Sequence, residues 1–135
     1  MKNDRFRADL KRVIEKGKTN QSLFIRKLLL EIDRRLVLKS PVDTGRFRAN
    51  WVVGSYNIDD STTDSTDKTG ATTLAKHQHQ ITGMKYNGQM VYITNSLPYA
   101  FPLEYGWSDK APQGMVRITV EEIESIAGDA VKGIA

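Results

Sequence analysis

Apolar residues fall on a helical period at both ends of this chain and on a strand period only in the middle. Phe6, Leu10, Val13 and Ile14 share one helical face, with Arg5, Arg7, Lys11 and Arg12 beside them. After Gly17-Lys18-Thr19-Asn20, Phe24, Leu28, Ile32 and Leu36 repeat every fourth residue, and Leu23 and Leu29 widen the row. That pattern is a strongly amphipathic helix with its apolar face toward a core. Pro41 stops it, because the residue before a proline is pushed out of helical geometry. The expectation is two helices, or one long helix kinked near Gly17, ending at about Lys39.

Positions 46–55 hold Phe47, Trp51, Val52 and Val53 and predict a strand. Positions 57–70 are polar almost throughout and predict a loop, mobile when the protein is alone. Positions 71–80 predict a short helix. Asn87-Gly88 marks a turn, and 89–95, with Met90, Val91, Tyr92 and Ile93, predict the clearest strand. Positions 97–112 are rich in proline, glycine and aromatics and predict an ordered, irregular segment. Gln113-Gly114 then opens a C-terminal helix with Val116, Val120, Ile123, Ala127 and Val131 on one face. The pattern predicts an α+β domain in which a basic N-terminal helical segment and a C-terminal helix pack on a small, mainly antiparallel sheet.

At 135 residues, 39% hydrophobic and 27% charged, the composition is that of one globular domain spanning 1–135, with a flexible polar loop at about 57–70. The longest apolar runs, Leu28-Leu29-Leu30 and 90–93, are far short of a membrane span. The N-terminus has no apolar stretch of signal-peptide type. There is no cysteine, hence no disulfide framework and no thiol chemistry.

The formal charge of +4 hides an asymmetry. Fourteen basic and six acidic residues precede Trp51, against six and ten from Trp51 onward. Such a split suits a nucleic-acid face, a head-to-tail match between subunits, or a solvated helix face that is simply basic. Lys11, Arg12, Arg26, Lys27, Arg34 and Arg35 are the candidates to face DNA or another subunit. Aromatics do not interleave with them, and no base-reading module is present, so sequence-specific binding is not expected.

Asp43-Thr44-Gly45 matches the D-T-G triplet of aspartic proteases, in which two carboxylates share a proton across a twofold axis. That chemistry needs a strand-to-turn setting in an all-β fold. Here the triplet follows a long helix and a proline, and Arg46 and Arg48 come directly after it. The alternative is a turn at Asp43 and Thr44 in which Gly45 supplies a positive φ. His77 and His79 could present two zinc ligands on a strand but would point apart on a helix, and both are expected to be solvent-exposed. No serine-nucleophile elbow or phosphate loop is present. Glu104 is expected to be a partly buried structural carboxylate, paired with Arg46, Arg48 or Arg117. Neither catalytic residues nor a cofactor or metal site are expected.

Four segments together resemble a family of phage tail-completion or neck proteins that includes the minor tail protein Z of lambda-like phages. They are Pro41-Val42-Asp43-Thr44-Gly45-Arg46-Phe47-Arg48 with Asn50-Trp51; Val91-Tyr92-Ile93-Thr94-Asn95; Pro98-Tyr99-Ala100 with Leu103-Glu104-Tyr105-Gly106; and Ala111-Pro112-Gln113-Gly114-Met115-Val116-Arg117. Positions 55–88 are not covered. The resemblance implies a non-enzymatic virion protein of the tail or neck, assembled in the host cytoplasm. It completes the tail or joins it to the capsid as a homo-oligomeric, hexameric ring around the DNA channel. Its partners would be other tail and head-connector proteins, with nonspecific DNA contact and no membrane. Tail-terminator and head-closure rings are near alternatives, and a nonspecific DNA-binding protein is the rival from another class. Tyr99, Phe101, Tyr105 and Trp107 suit an interface or, equally, the domain's own core.

Overall fold

The computed structural model describes residues 2–105 and 114–132. In chain order the elements are α1 (Lys2–Lys39), α2 (Arg46–Ala49), β1 (Trp51–Ser55), α3 (Ala71–Gly83), β2 (Val91–Asn95), α4 (Ala100–Glu104), α5 (Val116–Glu121) and α6 (Ile123–Lys132). The fold is α+β, with helices gathered around a two-stranded antiparallel sheet.

Of the two arrangements expected for the N-terminal segment, the chain adopts a single helix. α1 runs through Gly17, whose cost of about 1 kcal/mol in a helix interior is spread over 38 residues of otherwise helix-compatible sequence. At a rise of about 1.5 Å per residue α1 is roughly 57 Å long. Among the described residues, the side chains that anchor it to the body, including Arg26, Ile32, Asp33, Arg35, Leu36 and Val37, belong to its C-terminal half. Arg5, Arg7 and Lys11 in the other half are exposed.

The strand expected over 46–55 begins only at Trp51. Gly45, at φ +90°, starts a single helical turn closed by Ala49 N–H to Gly45 O (3.2 Å) and Asn50 N–H to Phe47 O (3.1 Å). Arginine and alanine favour that turn, and it drives Phe47 into the core four residues ahead of Trp51. β1 then pairs with β2 in the register Trp51↔Asn95 to Ser55↔Val91. Two strands alone are marginal in water, and here the sheet is supported by the core of Leu36, Val37, Phe47, Trp51, Leu97 and Met115.

Within the segment expected to be irregular, Ala100–Glu104 forms the short helix α4. The C-terminal helix is divided at Glu122 into α5 and α6. Its buried residues are Met115, Thr119, Ile126 and Ala130, whereas Val116, Val120, Ile123 and Val131 are exposed. Among the described residues, no helix is long and apolar enough to cross a membrane.

Candidate functional site

The D-T-G triplet lies between two helices, α1 and α2. Asp43 and Thr44 are exposed, and the Thr44 hydroxyl accepts a bond from Arg46 N–H at 3.2 Å. Gly45 is buried beneath the polar loop. Its carbonyl accepts Asp67 N–H at 2.9 Å, and a β-carbon here would stand 2.5 Å from Lys68 N and 2.7 Å from Asp67 C. Both the left-handed φ and this close backbone crossing require glycine.

Around that crossing the polar side chains bind backbone. Asn50 reads Thr63 from both sides: Nδ2 donates to Thr63 O at 2.9 Å and Oδ1 accepts Thr63 N–H at 2.8 Å. Arg48 donates to Ser40 O, Lys68 O and Leu38 O, joining the end of α1 to the loop. Arg46 donates to Thr63 O and pairs with Asp64. Trp51 Nε1 donates to Ser40 Oγ at 2.8 Å, and Asn95 Nδ2 donates to Phe47 O at 2.9 Å. The tract 57–70 carries almost no apolar residues, yet its second half is held by backbone hydrogen bonds at positions 63, 67 and 68. Asp67 also accepts Thr73 N–H at 2.7 Å at the start of α3. Burial pushes the Asp67 carboxyl up, but the Thr73 and Gly70 donors and the Arg48 charge outweigh it and hold the group below its ordinary value.

Glu104 is the second focus, and its partner among the three arginines proposed is Arg117. One carboxylate oxygen accepts Met115 N–H (2.8 Å) and Val116 N–H (2.7 Å). The other accepts Arg117 N–H (3.0 Å) and Arg117 Nε–H (3.1 Å). The Arg117 guanidinium also donates to the Glu104 carbonyl and lies 4.9 Å from the centre of the Tyr105 ring. The end of α4 thereby caps the start of α5, satisfying donors that a helix N-terminus leaves open. Desolvation raises the Glu104 pKa, but the Val116, Arg117 and Met115 donors prevail and hold it below the ordinary glutamate value.

His77 corrects the expectation of an exposed histidine. It is 1% exposed, and its Nδ1 lies 2.8 and 3.0 Å from the two carboxylate oxygens of Asp33, itself 1% exposed. The pair joins α1 to α3. His79, two residues on, faces solvent, since a helix turns such neighbours apart. The sequence held a signal for this pair. Asp33 falls in the helical row of Leu29 and Val37, and His77 in the row of Ile81, so each is a polar residue on an apolar line. Above His77 lies a cleft of about 260 Å³ walled by Asn50, Ser61, Thr63, Asp67, Thr73 and Lys76. Among the described residues no three histidines or carboxylates gather to hold a metal.

The remaining candidates divide. Arg26 donates to Met84 O and stacks over Tyr86 (5.3 Å), while Arg35 binds Glu31 and Glu122, so both engage their own chain. Arg34 is exposed and pairs with Glu31, and Lys27 is half-buried. Lys11 is exposed, whereas the Arg12 side chain lies outside the described residues. Tyr99 packs its ring 5.8 Å from Phe47, and Phe101 and Tyr105 stack on each other at 4.5 Å. Phe101 is 72% exposed and is not part of the core. Trp107 lies outside the described residues. No protein-family model, curated protein or solved structure matches this chain.

Proposed function

We propose that this chain is a structural protein of the phage head–tail junction, which completes the tail or joins it to the capsid as a ring around the DNA channel. One observation supports this reading above others: the segments that carry the family resemblance meet in space as scaffold. Gly45 underlies the loop crossing, Phe47 receives Asn95, and Glu104 receives Met115, Val116 and Arg117. Their polar atoms hold backbone, which suits a load-bearing structural subunit.

Electron microscopy of the purified protein, alone and mixed with tail tubes, tests the proposal. Rings, hexameric by the family's example, or capped tubes are expected; bare tubes beside unassembled protein would count against it. Asp43→Asn should leave assembly and melting temperature unchanged, because the Asp43 carboxylate is exposed on a turn. Self-cleavage that this change abolishes would instead point to a protease. The exposed Arg5, Arg7 and Lys11 favour nonspecific DNA binding as the second reading. That reading predicts an affinity for duplex DNA that falls linearly with salt on logarithmic axes, with no rings.

A further inference from the structure

The outward face of α5 and α6 is apolar. Val116, Val120, Ile123, Ala127 and Val131 recur every three or four residues. Glu122 N–H to Ile118 O (3.2 Å) and Ile126 N–H to Glu122 O (3.0 Å) carry the helical pitch across the division between the helices. The inner row, Met115, Thr119, Ile126 and Ala130, is buried against the body, while Val120 is 60% and Val131 55% exposed. A surface helix normally leaves polar residues on its outer face, and a contiguous apolar stripe left in water marks a contact surface. Glu121 and Glu124, both exposed, lie along it. Of the other two acids in this stretch, Asp129 is exposed and Glu122 is already paired with Arg35 and Lys39.

The N-terminal half of α1 has the opposite charge and a matching sequence pattern. Positions 2–20 carry seven basic and three acidic residues, and Phe6, Leu10, Val13 and Ile14 form one helical row among them. Because α1 is a single unbroken helix whose C-terminal half is anchored in the body, its first half cannot fold back onto its own α5 and α6.

We infer that the N-terminal half of α1 from one copy docks on the α5–α6 stripe of the next, an inference that rests on the assembly reading above. Arg7 and Lys11, both exposed, face Glu121 and Glu124 along the stripe. The two surfaces are different, so the contact is head-to-tail and repeats from subunit to subunit until it closes. Charge complementarity, together with the helical spacing of apolar residues that both segments carry in sequence, selects a second copy of this chain as the occupant. Nucleic acid would use the basic residues but has no use for the stripe.

Sedimentation velocity on three proteins tests this: the wild type, Val120→Asp, and the double variant Arg7→Glu with Lys11→Glu. The wild type self-associates. Each variant should remain monomeric with an unchanged melting curve, its self-association roughly 30-fold or more weaker per junction. Mixed in equal amounts, the two variants have one good junction between them and should form a 1:1 dimer that grows no further. If Val120→Asp melts early, Ile123→Ser on the same stripe carries the test.

If both variants assemble like the wild type, this interface is wrong, while rings or capped tubes would keep the head–tail reading intact. A wild type that neither self-associates nor caps tubes overturns both. If the arginine and lysine changes abolish only binding to a DNA duplex while self-association survives, the α1 face serves nucleic acid and the inference falls.

Discussion

The centre of this molecule and its C-terminal face reverse the usual distribution of polarity. Around Gly45, Asn50 and Glu104 the interior is dense with hydrogen bonds from side chains to backbone. On α5 and α6 a row of valine and isoleucine stands in water. The difference teaches what each region answers to. Segments without regular structure must have their backbone groups satisfied by something, so polar side chains are drawn inward to the loop crossings. A helix satisfies its own backbone and is free to spend its apolar side chains elsewhere.

Removing the deepest polar partner breaks the comparison most severely. Asp33→Ala leaves His77 buried without its partner, and the loss of one member of a buried pair costs about 3–5 kcal/mol. Thermal denaturation should show the midpoint falling by roughly 10 degrees or more; an unchanged midpoint would mean that the pair contributes nothing to holding α1 on α3.

Next in size is Glu104→Ala, which strips three backbone donors of a charged acceptor. Bonds of that kind are worth about 1.5–3 kcal/mol each when formed to a charge, although water reaching the partly exposed helix start offsets part of the loss. The same carboxylate gives a pH signature. Its folded pKa lies below the unfolded value, so its contribution is complete above the unfolded pKa, about 4.3. It fades as pH falls through the lower folded value. The stability gap between wild type and Glu104→Gln should therefore be constant near neutrality and narrow in acid; a gap that widens in acid would reverse the assignment.

Gly45→Ala sharpens the loop side of the comparison. A left-handed alanine costs about 1–3 kcal/mol, and its β-carbon would also displace the backbone at Asp67 and Lys68. Faster amide exchange at Thr63 and Asp67, measured by NMR, should accompany the loss. The smallest expected effect belongs to the opposite region. Val120→Ser should change folding stability by no more than about 0.5 kcal/mol, as surface changes do, and a large drop in chemical denaturation would show that the stripe is covered within the subunit.

Much of this architecture was legible in the sequence, because long apolar periods and punctuation by proline and glycine are local signals. The end of α1 at Lys39, the turn at Gly88 and the strand through Tyr92 follow from them. The turn of helix at Phe47 was hidden because aromatic and β-branched residues on either side read as one strand. The outward stripe was visible as a row but not as outward, since periodicity gives a face and not its direction. Asn50 and Asn95 were illegible for a different reason: their partners lie 13 and 48 residues away, and no spacing rule connects them.

The anchoring of the polar tract is one-sided, and that has a practical consequence. Its grip on the body is at Thr63, Asp67 and Lys68, while between 57 and 62, among the described residues, Ser61 bonds Asp59 within the arch itself. Lengthening such an arch costs only about 0.6 kcal/mol per doubling of its length. It is therefore the place where a reporter peptide or a fluorophore can be grafted without disturbing the fold, giving the protein a label of its own for any test of assembly.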